Sequence, residues 1–134
     1  MLFSDKFTVY QKSLDLHQQR MGTIANNIAN ADTPGYKAKR LEFEEQMRQA
    51  FDGGGGKLTP TTTDPNHMGG GGNVENVQPT VRELVQGGRV DGNTVNTQQE
   101  LERMGETRLQ YQMVSQFAGS RAQGLKYAID QGGK

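Results

Sequence analysis

Phe3 to Ala31 reads FSDKFTVYQKSLDLHQQRMGTIANNIANA, and one spacing runs through the whole stretch. Phe3, Phe7, Tyr10, Leu14, His17, Met21, Ile24, Ile28 and Ala31 recur at intervals of 4, 3, 4, 3, 4, 3, 4 and 3 residues. Alternating steps of three and four put successive side chains on one face of an α-helix, and a run of heptads makes that face a coiled-coil seam. Only His17 interrupts its apolar character. The pattern predicts a helix over about residues 5–31, roughly 40 Å long, with Ser4 or Asp5 able to cap its start. It should end where Pro34 forces Thr33 out of the helical region. Pro34-Gly35 then suits the centre of a type II turn, glycine taking the positive φ.

The far end of the chain repeats the theme. Leu101, Met104, Arg108, Tyr111, Ser115, Ala118, Ala122, Leu125 and Ile129 are spaced 3, 4, 3, 4, 3, 4, 3 and 4. Leu109, Met113, Val114 and Phe117 widen this stripe, while Ser115, Ala118, Gly119 and Ala122 keep its middle small. Thr97-Gln98-Gln99-Glu100 has the form of a capping box, with Thr97 as the cap. A helix over 97–131, about 50 Å long, is expected to stop at Gly132-Gly133.

Between the helices the chain divides into three parts. Residues 32–51 are a turn and short linker, in which Phe43, Met47 and Phe51 suit a short helix after residue 42. Residues 52–73 carry the glycine runs Gly53–Gly56 and Gly69–Gly72 around a Thr/Pro/Asp/Asn stretch. So few apolar side chains cannot offset the entropy of ordering that segment, and it is expected to be a flexible insertion. Residues 74–96 hold seven Val or Leu, with Gly87-Gly88 and Asp91-Gly92 as hairpin-type turn signals. One or two short strands are expected there, too few for a sheet that stands alone. The fold class that follows is mainly α: two long terminal helices (1–31 and 97–131) pairing as a coiled-coil-like hairpin around a short β or irregular, glycine-rich middle.

Composition narrows the function. Lys plus Arg and Asp plus Glu each number 15, so the chain is formally neutral and lacks the positive excess a general nucleic-acid binder needs. Hydrophobic residues make up 32% of the 134, too few for one large core. No cysteine is present, which removes disulfides, thiolate metal sites and thiol catalysis. No apolar run approaches a membrane span, and the first thirty residues lack the form of a cleaved secretory signal.

Candidates for chemistry are few. His17 sits on the helical seam and reads as an interfacial polar residue. His67 follows Asp64-Pro65-Asn66 in the glycine-rich stretch, where mobile backbone cannot preorganise metal ligands. Gly53–Gly56 followed by Lys57 resembles a phosphate loop, but Leu58 stands where magnesium needs a hydroxyl and no strand precedes it. Lys37, Lys39 and Arg40 followed by Glu42, Glu44 and Glu45 suggest salt bridges between neighbouring chains or a solvated face. No cofactor and no catalytic or metal site are expected. The stripes leave Val9, Leu16, Leu109 and Phe117 off the strict seams, and burying each is worth roughly 1.5–3 kcal/mol. Packing against other chains is the simplest way to gain it, which predicts an oligomer or polymer whose isolated subunit is only partly ordered. A helical adaptor or chaperone would carry similar heptads but would be a stable soluble dimer. An enzyme is disfavoured.

One segment is specific in kind. Asn26-Asn27-Ile28-Ala29-Asn30-Ala31-Asp32-Thr33-Pro34-Gly35-Tyr36 sets three amides beside a small-residue seam at the end of a helix. It resembles the N-terminal signature of bacterial flagellar rod, hook and hook-associated proteins, an Asn-x-Ala-Asn core, a polar turn and Gly-Tyr or Gly-Phe. Asn27, Ala29, Asn30, Gly35 and Tyr36 match it. The variant through Asp32, Thr33 and Pro34, with Lys37-Ala38 following, is most similar to the proximal rod family FlgB. Val90-Asp91-Gly92-Asn93-Thr94-Val95 and Leu109-Gln110-Tyr111-Gln112 are similar to it too. The resemblance covers about residues 1–45 and 88–131. Asn96, where an acidic residue is common, departs from it. A sibling proximal-rod protein would share the N-terminal part.

The resemblance implies a structural subunit of the flagellar basal-body rod. Its terminal helices would form the inner tube of a polymer that surrounds the export channel, crosses the periplasm and transmits torque. It implies flagellar type III export without a cleaved signal. The partners it implies are the chain itself, other rod proteins, the basal adaptor protein and the export gate, with no nucleic acid. On both grounds Phe7, Tyr10, Leu14, Met21, Ile24 and Ile28 of the first seam should meet Leu101, Met104, Tyr111, Ala118, Ala122, Leu125 and Ile129 of the second, within and between subunits. Deleting residues 53–72 should leave motility largely intact in a soft-agar swimming assay; a non-motile deletion strain would show that the segment carries a function.

Overall fold

The computed structural model describes residues 2–52 and 74–132. The glycine-rich segment, including Lys57 and His67, lies outside the described residues. The described elements are α1 (Leu2–Ala29), β1 (Lys39–Glu42), α2 (Glu44–Asp52), a 3-10 turn (Val74–Asn76), β2 (Thr80–Glu83) and α3 (Thr97–Gly132). The fold is mainly helical, with two long terminal helices as the heptads predict.

The helices run in opposite directions. Glu100 near the start of α3 bonds Asn27 near the end of α1. Further along, Arg103, Thr107 and Gln110 of α3 line one cleft with Thr23, Ile24 and Arg20 of α1. The contact face of α3 differs from the apolar seam read from sequence. Glu100 and Thr107 are buried, and Met104, Tyr111, Val114 and Ala118 are half-buried, a row spaced 4, 3, 4, 3, 4. Met104, Tyr111 and Ala118 belong to both rows. Leu101 and Arg108 give way to Glu100 and Thr107, one residue earlier. Turning the helix this far keeps the Arg108 charge in water and places Val114 rather than Ser115 inward.

Three further expectations change. First, α1 begins at Leu2, ahead of Ser4 and Asp5. Second, the cap of α3 is Asn96 and not Thr97: its Oδ1 accepts from the Gln99 N–H at 3.3 Å and its carbonyl from Glu100 N–H at 3.0 Å. Glu100 therefore does not reach back as in a capping box; it points into the protein. Third, the strand in 74–96 forms no hairpin with its neighbours. β2 pairs antiparallel with β1, Leu41 opposite Val81 and Lys39 opposite Glu83, across a separation of some forty residues. Pairing at that distance has no local turn to announce it.

The small sheet and α2 pack on the middle of α1. Leu16 (fully buried), Leu41, Phe43, Ala50 and Val77 form the core, flanked by Met47 and Val74. Leu16 thus finds its burial inside the subunit. His17 is buried beside it with its ring edge on Phe43, centroids 5.1 Å apart. The opposed charges after the turn are also mostly internal. Arg40 pairs with Glu100, Arg20 with Glu44 at 2.6 Å and Arg82 with Glu42 at 3.1 Å, so they knit elements of one chain together. On α2, hydrogen bonds from Arg48 and Gln49 hold the exposed Glu45 carboxyl down at about 2.

Leu16→Ala should cost about 2–5 kcal/mol, since it opens a cavity where sheet, α2 and α1 meet. Leu101→Ala, on an exposed side chain, should cost less than about 0.5 kcal/mol. Urea unfolding followed by circular dichroism compares the two, and equal effects would contradict this packing.

Candidate functional site: a polar clamp and an open helix

The signature residues at the end of α1 assemble into a clamp with the segment that leads into α3. Asn27 is fully buried, and its amide is used in full. Nδ2 donates to the Lys39 carbonyl at 2.8 Å and to Glu100 Oε2 at 3.0 Å. Oδ1 accepts from Lys39 N–H at 2.9 Å and from the Tyr36 hydroxyl at 3.3 Å. Asn27 thereby occupies the edge of β1 that faces away from β2, as a neighbouring strand would. Arg20 completes that edge, its Nε donating to the Leu41 carbonyl at 3.0 Å. Glu100, without exposed surface, accepts from Arg40 as well. A carboxylate this deep is tolerable because both oxygens are engaged.

Asn93 is the other half. Also fully buried, its Nδ2 donates to the carbonyls of Asn30, Ala31 and Thr33 at 2.9, 3.0 and 2.7 Å. These carbonyls belong to the turn just after α1, and that of Asn30 also accepts from Thr33 N–H at 3.0 Å. Arg89 also donates to the Ala31 carbonyl. Asn93 Oδ1 accepts from Val95 N–H at 2.7 Å, and Asp91 Oδ1 from Asn93 N–H at 3.1 Å. Thr33–Tyr36 closes with a 3.2 Å bond from Tyr36 N–H to the Thr33 carbonyl, and Gly35 takes a φ of 73°. Gly92, at φ 79°, takes the left-handed conformation that favours glycine and lies against Gly35. Gly35 N–H donates to the Asp91 carbonyl, and Lys37 Nζ to that of Gly92 at 2.7 Å. Asn27, Asn30, Thr33, Gly35 and Tyr36 are thus brought together with Asp91, Gly92 and Asn93. Ala29, Asp32 and Pro34 stay exposed around them. The Asn27 amide works inside the subunit, and not across an interface.

The seam residues divide. Ile24 is buried; Tyr10, Leu14, Met21, Ile28, Met104, Tyr111 and Ala118 are half-buried. Phe7, Leu101, Ala122, Leu125 and Ile129 are exposed. Exposed too are Leu109, Met113 and Phe117, a row at steps of four on the side of α3 turned away from α1. Charge is light along this row, so α3 keeps an apolar face that no other described residue covers. Sequence reasoning gave Glu100 and Arg40 other roles and missed Arg89 and Thr94, the last accepting from Ala38 N–H at 2.8 Å. The one available hint was the acidic residue at position 100 on the edge of an apolar stripe.

A long helical pair tied near one end by a polar clamp, with apolar side chains left exposed along α3, is the arrangement that the resemblance to axial flagellar proteins implied. The family model described as flagella basal body rod protein matches residues 13–37, the α1 half of the clamp. Relatives extend the match over nearly the whole chain. "Flagellar basal body rod protein FlgB" of Aeromonas hydrophila is 32% identical over 130 residues, 95% of this chain and 94% of that protein. That of Cereibacter sphaeroides is 33% identical over 127 residues, 95% of each. That of Salmonella typhimurium is 31% identical over 126 residues, 92% and 91%. The chain belongs to the FlgB family of flagellar basal body rod proteins, a structural and non-enzymatic family.

Asn93→Ala should cost about 1–3 kcal/mol, because it strands carbonyls of the turn after α1. Glu100→Ala should cost more, about 3–5 kcal/mol, because Arg40 is left as an unpaired buried charge. Denaturant titration of both variants ranks them; a Glu100→Ala chain as stable as the parent would show that Arg40 reaches solvent without it.

Proposed function

We propose that this chain is a structural subunit of the proximal rod that polymerises through α1 and α3 into a shaft. The shaft surrounds the export channel, crosses the periplasm and carries torque. The observation that carries this reading is the apolar surface that α3 leaves exposed. After pairing with α1, this helix still exposes Leu101, Leu109, Met113, Phe117, Leu125 and Ile129. Each is worth roughly 1.5–3 kcal/mol when fully covered, so several neighbours packing on one helix supply a large association energy. Torque demands subunits that do not shear internally. The clamp meets that demand by fixing α1, β1 and the start of α3 to one another through buried charge-assisted hydrogen bonds, which are stronger than neutral ones.

The partners follow from the same surfaces. Further copies of the chain and sibling rod proteins would share the helical face, with the basal adaptor and the export gate at one end. Neutral formal charge limits self-repulsion in such a stack. Export would proceed through the flagellar apparatus without a cleaved signal.

Leu125→Asp and Phe117→Asp alter exposed positions and should leave the isolated fold intact. Each should abolish swimming while the protein is still secreted at near-normal levels, and Ile28→Asp on α1 should do the same. Motility plates with immunoblots of secreted protein separate assembly from export. Normal swimming by Leu125→Asp and Phe117→Asp strains would remove α3 as the polymerising face. On this reading, the purified subunit is only partly ordered, its clamp and small core folded, whereas an adaptor would be a stable helical dimer by circular dichroism.

A further inference from the structure

His17 is the one buried side chain among the described residues whose polar atom, Nδ1, has no hydrogen-bond partner. It lies on α1 beside Leu16, at the centre of the small core, with its ring edge against Phe43. The Arg20 guanidinium stacks on that same Phe43 ring, 4.2 Å from its centroid. One aromatic ring therefore has a fixed cation and a neutral imidazole against it. We propose that His17 is an acid-sensitive latch: protonated, it releases α2 and the Leu41–Phe43 segment from α1 while the Asn27–Asn93 clamp stays closed.

The reasoning starts from what a proton on His17 would meet. Nδ1 would become a second charged donor with no acceptor, in a site lined by Leu16 and Phe43. Burying a charged donor without a partner is costly. Of the charged groups around it, Arg20 on α1 repels the new charge. Glu44 at the start of α2 attracts it, but that carboxylate is already bound to Arg20 at 2.6 Å and to Phe43 N–H at 3.1 Å. From the 3-10 turn, Glu75 offers its backbone carbonyl to Lys12 on α1. From α3, Arg103 and Glu106 line the cleft that Arg20 and Glu44 share. Burial first, and Arg20 second, lower the basicity of His17 below the usual 6.5, with Glu44 opposing.

The sign follows by linkage. The unlatched chain takes up a proton near pH 6.5, and the latched chain only at lower pH. Docking is therefore at full strength above pH 6.5 and weakens as pH falls below it. Glu44 acts in a separate window. Burial alone would raise its pKa, but the Phe43 N–H and Arg20 hold it below its usual 4.5. The pair it makes with Arg20 is thus retained until more acidic pH, and His17 responds first. The clamp has no histidine. Release would bare Leu16 and Phe43.

The test uses the full chain carrying His67→Gln, which leaves His17 as the sole histidine. Hydrogen exchange, corrected for intrinsic rates, should show protection of residues 41–50 falling about five-fold or more between about pH 7.5 and 5.5. Protection of residues 93–107 should hold. With His17→Phe added, the drop should disappear. Equal loss in both chains, or none in the first, would overturn the proposal. Should His17→Phe fail to fold, the NMR titration of the His17 ring decides the matter: a midpoint below 6.5 supports the latch and one at or above it refutes it.

Discussion

The amide of Asn27 is the constraint on which the rest of this molecule depends. A two-stranded sheet as short as β1 and β2 is not stable alone. Here one of its edges is finished by side chains of α1, Asn27 at Lys39 and Arg20 at Leu41. The same Asn27 holds Glu100, and Glu100 holds Arg40. Helix, sheet and the start of the second helix are therefore one bonded unit. Buried ion pairs are weak sources of net stability but strict about geometry. The trade suits a part that must hold its shape between neighbours more than it must resist unfolding by itself.

That unit explains why the two signature segments lie so far apart in the chain. Asn27 to Tyr36 ends one helix and Asp91 to Asn93 precedes another, yet each supplies the other's missing partners. Three main-chain carbonyls after α1 converge on the one Asn93 amide. Neither segment could be explained as a turn on its own terms.

Much of this was legible in the residues. Heptad spacing set out both helices, because an apolar stripe is a property of the chain itself. The Pro34-Gly35 turn was legible for the same reason, resting on local sterics. What escaped were long-range polar partnerships. Glu100 reads as a surface carboxylate until Arg40 and Asn27 are brought beside it. β1 is short and charged, so nothing in Lys39–Glu42 distinguishes it from a linker until Val81 is set against Leu41. His17 looked like an interface residue because its covering ring, Phe43, comes from a segment whose own strand was invisible. The rotation of α3 by one position turned on where a single arginine and a valine would lie, a distinction below the resolution of a stripe.

The bracing of the turn after α1 by a distant amide has a consequence for order in time. The helix itself closes locally, through the Asn30 and Ala31 N–H groups. The turn waits for Asn93, sixty or more positions downstream of the carbonyls it binds. In a chain that emerges N-terminus first, that turn stays unbraced until over two-thirds of the residues have appeared.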